Sequence, residues 1–95
     1  MGKAYWVAVY HSVSNSDALA AYARLAATAI EAGGGRFLAR GNAVKCYEAG
    51  LAQRVVIIEF DDVAQAIATH DGEAYQAALK VFDNAAIRDV RIIEG

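Results

Sequence analysis

The run Arg54-Val55-Val56-Ile57-Ile58-Glu59-Phe60 constrains this chain more than any other. Alternate side chains of a strand point to opposite faces. Val56, Ile58 and Phe60 therefore share one face, and Val55, Ile57 and Glu59 share the other. Both faces are apolar apart from one carboxylate. A sheet built around such a strand needs cover on both sides.

The rest of the chain supplies cover for one side only. Tyr5 to His11 reads as a first strand, aromatic and β-branched, and Ser12 to Ser16 as a loop. Asn15 or Ser16 is positioned to cap a helix whose apolar residues Leu19, Tyr22, Leu25 or Ala26, Ala29 and Ile30 recur at helical spacing. Gly33-Gly34-Gly35 ends that helix. Arg36 to Arg40 reads as a second strand, with Gly41-Asn42 as a bulge or bend and Ala43 to Glu48 continuing it. Ala49 to Gln53 turns the chain into the third strand. Asp61 or Asp62 caps a second helix through about His70, Asp71-Gly72 interrupts it, and Glu73 to Asp83 resumes it. Arg88 to Glu94 is the last strand. The order βαββαβ predicts a ferredoxin-like α+β fold, with a four-stranded antiparallel sheet and helices on one face. The bare face is then expected to pack on the same face of a second copy, giving a homodimer that closes toward a barrel.

With 95 residues, 1–95 is one domain, yet 57% of the chain is hydrophobic and 21% charged. A domain of this size buries only about 60–65% of its unfolded surface. Such an apolar supply exceeds one small core and again points to an interface. The formal charge of −2 and the scatter of the nine basic residues argue against nucleic-acid binding. One cysteine, Cys46, excludes an internal disulfide. No apolar run approaches membrane-spanning length, and the N-terminus lacks a secretory h-region, so a cytoplasmic location is expected.

Several segments together resemble the DUF1330 family of small bacterial proteins, within the dimeric α/β barrel superfamily. They are Gly34-Gly35-Arg36-Phe37-Leu38-Ala39-Arg40-Gly41, Glu48, the Arg54–Phe60 strand, Glu73-Ala74-Tyr75-Gln76-Ala77-Ala78 and the ending Ile92-Ile93-Glu94-Gly95. The resemblance implies a ferredoxin-like subunit and a dimer, but no established activity. This chain departs from the family pattern at Thr69-His70-Asp71-Gly72, where the family usually carries Trp-Tyr-x-Ser-Pro. It departs again at Phe82, where an arginine is common.

No catalytic constellation stands out. Gly33-Gly34-Gly35 follows a helix instead of preceding one, which suits a cap and not a phosphate loop. His70, beside Asp71, and His11 are the candidate proton carriers, with dipole complementation at a helix end as the alternative for His70. Glu59, inside an apolar strand, is a functional acid, an ion-pair partner of Arg36, Arg40, Arg88 or Arg91, or a strand-end carboxylate reaching water. Arg40 and Arg54 are candidate anion anchors, and Tyr75 is a candidate orienting hydroxyl. The expected pocket set is His11, Arg40, Glu59, His70 and Tyr75, between sheet and helices, with no metal and no cofactor. The function expected is binding of a small organic molecule. The alternatives are a ligand-free structural or regulatory dimer, or a cofactor-independent enzyme of monooxygenase or isomerase type.

Overall fold

A computed structural model describes residues 2–95. The elements run β1 (Ala4–Val13), α1 (Ser16–Ala32), β2 (Arg36–Asn42), β3 (Arg54–Phe60), α2 (Val63–Asp71), α3 (Glu73–Phe82) and β4 (Ala86–Glu94). The strands form one antiparallel sheet in the order β2-β3-β1-β4. This is the ferredoxin-like fold, with the second helix broken in two at Gly72.

Alternation decides the layers. Ala4, Trp6, Ala8 and Tyr10 of β1 are buried, as are Val56, Ile58 and Phe60 of β3, and they meet Tyr22, Ala26, Ala29 and Ile30 of α1. The register sets Trp6 against both Ile58 and Ile92, so one face of the sheet carries the core. Tyr75, Ala78 and Phe82 seat α3 on the same side.

Local chemistry fixes the ends. Asn15 caps α1 by accepting from the Ala18 amide, and Asp62 caps α2 by accepting from the Gln65 amide. Gly34 holds φ at +94°, where a side chain is strained. A Cβ on Gly35 would stand 2.6 Å from Ile30 Cγ2 and 2.8 Å from Phe60 Cζ, so only glycine lets the chain pass from α1 into β2 there. Helix α2 is tied to this junction by Gln65 Nε2 and Thr69 Oγ1, which both donate to the Gly33 carbonyl.

Several boundaries differ from the sequence reading: β1 runs on to Val13 through part of the expected Ser12–Ser16 loop, and β4 begins at Ala86 instead of Arg88. The register shift in β2 falls at Leu38, between Phe37 and Ala39, and not at Gly41-Asn42. The strand stops at Asn42, and residues 43–53 form a non-strand arm closed at its base by the Ala43 amide donating to the Gln53 carbonyl. Glu48 takes φ of 53° inside that arm, which a continuing strand does not allow. No helix among the described residues is long and apolar enough to cross a membrane.

Candidate functional site

Arg88 of β4 faces the helices. It pairs with Tyr10 across the sheet, so it shares the face of Val90 and Ile92, which oppose Ala8 and Trp6. One of its nitrogens, Nη1, donates to the hydroxyls of Tyr10 at 3.1 Å and Tyr22 at 3.0 Å. The other, Nη2, donates to the Tyr75 hydroxyl at 3.2 Å. Tyr22 comes from α1 and Tyr75 from α3, and their hydroxyls are 2.6 Å apart. Beneath the guanidinium lies Phe82, its ring centroid 4.3 Å from Arg88 Cζ. Phe82 thus gives Arg88 an aromatic face.

The electrostatics of this cluster are one-sided. Burial disfavours the charge of Arg88, but the oxygens of Tyr22 and Tyr75 outweigh it and hold its pKa above the ordinary value. Burial, reinforced by Tyr75, raises the Tyr22 phenol well above 10.0 despite the nearby guanidinium. Burial also raises Tyr10, against the pull of Arg88. At neutral pH Tyr10 and Tyr22 are therefore phenols beside a fixed cation.

Donors outnumber acceptors here. A guanidinium has five N–H groups, and the tyrosines accept only three hydrogen bonds from Arg88. One O–H is used between Tyr22 and Tyr75. The O–H of Tyr10 and the second O–H of that pair have no acceptor among the described residues. Asp61, Glu59, Asp71 and Asp89 are engaged elsewhere, with Lys3, Arg36, His70 and Arg91.

A cleft between α1 and the sheet opens onto this cluster. Its walls are apolar, including Leu19, Ala23, Ala26, Val56 and Ile58, and Arg40 and Arg54 join Arg88 in lining it. No Asp or Glu lines it. The cavity is about 40 Å³, room for a few water molecules at most.

The expected pocket residues divide. Arg40 lines the cleft, with its guanidinium 4.3 Å above the Phe37 ring. Tyr75 does not line the cleft but touches it through Arg88, which donates to its hydroxyl. His70 lies behind the cleft, its ring against those of Trp6 and Tyr75 and its Nδ1 2.9 Å from Asp71 Oδ1. His11 and Glu59 lie on the opposite face of the sheet. Glu59 there accepts from Arg36 Nε at 3.0 Å and from the Tyr5 hydroxyl at 3.5 Å. Arg88 and Tyr22, which organise the cluster, are absent from that set. Their signal was available: Arg88 occupies an inward position of an alternating strand, and Tyr22 an inward position of a helix. Among the described residues, no three His, Cys, Asp or Glu side chains stand together as a metal site.

The sequence profile of DUF1330, described as a domain of unknown function, matches residues 3–95. No curated protein matches the chain. Among solved structures, a protein of unknown function from Rhodopseudomonas palustris is similar over 97% of this chain and 79% of its own, at 22% identity and a TM-score of 0.73. SnoaB, a cofactor-independent oxygenase from Streptomyces nogalater, is similar over 100% of this chain and 94% of its own, at 8% identity and a TM-score of 0.71. A dimeric protein of unknown function and ferredoxin-like fold from Bacteroides fragilis is similar over 100% of this chain and 98% of its own, at 12% identity and a TM-score of 0.59. At these identities the likeness is one of fold.

Proposed function

We propose a function for this chain, which belongs to the DUF1330 family, from the chemistry of its cleft: it binds a small organic anion with an apolar body. The observation that carries this is Arg88, a partly buried cation held by phenol oxygens and facing an apolar cleft with no carboxylate in it. A cation removed from water needs a counter-charge. The unused N–H groups of Arg88 and the free phenol O–H groups suit the oxygens of a carboxylate. The aliphatic walls suit the body attached to it. The cavity is small, so the ligand is compact, or the arginine arms at the mouth move as it enters.

Binding is favoured over proton abstraction. A general base works best with a pKa near the operating pH, and burial moves Tyr22 in the wrong direction for that role. Likeness to an oxygenase is likeness of fold and does not reverse this argument.

The open face of the sheet belongs to the same proposal as the seat of a second copy. Ile87 and Ile93 are 68% and 58% exposed there, alongside half-buried Val7, Val55 and Ile57. Similarly folded proteins from Bacteroides fragilis and Thermobifida fusca are described as dimeric.

Calorimetric titration with benzoate tests the cleft. The wild type binds it saturably, and Arg88→Gln weakens binding by about 10- to 100-fold, the range for losing a charge-assisted contact. Benzoate binding that is undiminished in Arg88→Gln, or absent from the wild type up to millimolar concentration alongside equally silent hexanoate, sinks the proposal.

A further inference from the structure

Three arginines line one cleft of a protein whose formal net charge is −2. Their placement is regular. Arg54 shares the inward face of β3 with Val56 and Ile58, and Arg40 on β2 lies opposite Val56. On β4, Arg88 lies opposite Tyr10. The central strand β1 separates Arg88 from Arg54, so their backbones stand about 10 Å apart at the usual strand spacing. The two charges act on the Tyr10 phenol together. Arg36 and Arg91, on the open face, each hold a carboxylate at 2.9–3.1 Å. Neither Arg40 nor Arg54 forms an ion pair with a described carboxylate, and Arg40 rests over the Phe37 ring instead.

One carboxylate at Arg88 leaves two positive charges at the same cleft without an anion, Arg54 half-buried and Arg40 exposed at its edge. We propose that the ligand carries two acidic groups joined by a short apolar spacer. One group is received by Arg88 and the phenols, the other by Arg54 with Arg40 at the mouth. The inner end selects by hydrogen bonding, since Arg88 and the tyrosines are fixed to one another. The outer end selects by charge, on two arms that are free to adjust. This inference rests on the anion-binding reading of the cleft and adds the ligand class to it.

Matched probes separate the two ideas. Isophthalate is compared with benzoate, and adipate with hexanoate, by calorimetry on the wild-type chain. The diacid of at least one pair is expected to bind at least about tenfold tighter than its monoacid. Changing both Arg40→Gln and Arg54→Gln is expected to weaken the diacid at least about tenfold more than the monoacid, which also loses charge from the cleft, so that the preference disappears. If the double variant does not fold, the single variants decide the matter: Arg54→Gln loses most of the preference and Arg54→Lys, which keeps the charge, retains it. Equal affinity for monoacid and diacid, or a preference that survives loss of both arginines, overturns the two-acid ligand and leaves anion binding standing. Failure of all four acids to bind the wild type overturns both.

Discussion

The two faces of the sheet treat charge in opposite ways. On the open face Arg36 reaches Glu59 at 3.0 Å and Asp61 at 3.1 Å, and Arg91 reaches Asp89 at 2.9 Å. Each cation there has its anion, and the surface between them is aliphatic. On the covered face Arg88 is surrounded by phenols and a phenyl ring, and the cleft above it supplies no anion. The first pattern is that of a surface complete in charge and short only of apolar cover. The second is complete in packing and short of charge. A copy of the chain answers the first need, and a small anion answers the second.

The largest effect that tests this contrast is mechanical. Trp6 is 1% exposed, stacks on Phe60 and meets His70 at a tilt and Tyr75 edge-on, so it supports the floor under the cluster. Trp6→Ala is expected to lower unfolding free energy by about 3–5 kcal/mol in urea denaturation, and to abolish benzoate binding along with it. A loss below about 1 kcal/mol would mean that the covered face is not the packed side of the molecule. Ile57→Lys probes the other face. It places an ammonium in the middle of the open apolar surface, opposite Val7. If a second copy covers that surface, burying the charge weakens self-association by about 100-fold, or about 2.7 kcal/mol. Sedimentation velocity reads this directly. A dimer that persists in Ile57→Lys at micromolar concentration puts the interface elsewhere, and the exposed arm residues Val44 and Tyr47 become the next place to look. Benzoate affinity is expected to survive Ile57→Lys.

The fold was legible because it rests on period alone. The double apolar face of β3 is visible in seven letters, and the helix break at Asp71-Gly72 follows from a glycine at the junction. The bulge at Leu38 was not legible, because nothing in Phe37-Leu38-Ala39 distinguishes an extra residue from a regular one. For the site, the sequence supplied Arg40 and Tyr75 but also His11 and Glu59, which the strand parity sends to the other face. The same parity, applied to Arg88-Asp89-Val90, would have put Arg88 inside. What no pattern reveals is that Tyr10, Tyr22 and Tyr75 meet around it from three elements, separated by up to 78 residues along the chain.

The smallest expected effects lie in pH, and they split by face. The hydrogen bonds from Arg91, opposed by some desolvation and helped by the Arg91 and His11 charges, hold Asp89 below the ordinary 3.8 of its carboxyl. A depressed carboxyl gives stability that is present above its unfolded value and lost as pH falls through the folded one. The open face therefore weakens only below about pH 4, and slightly, since solvent reaches the pair. The phenols behave in reverse. Burial raises Tyr22 and Tyr10 above 10.0, so their contribution is full below that value and declines as pH climbs past it. Urea midpoints are thus expected to stay level between about pH 5 and 9 and to fall on the alkaline side. Absorbance of ionised phenol should keep rising beyond about pH 11, with that late portion lost in Tyr22→Phe. Asp89→Asn should remove the acid slope and leave the alkaline one unchanged. Phenol ionisation complete near pH 10, with no late portion sensitive to Tyr22→Phe, would place the tyrosines in solvent and remove the buried donor cluster on which the covered face depends.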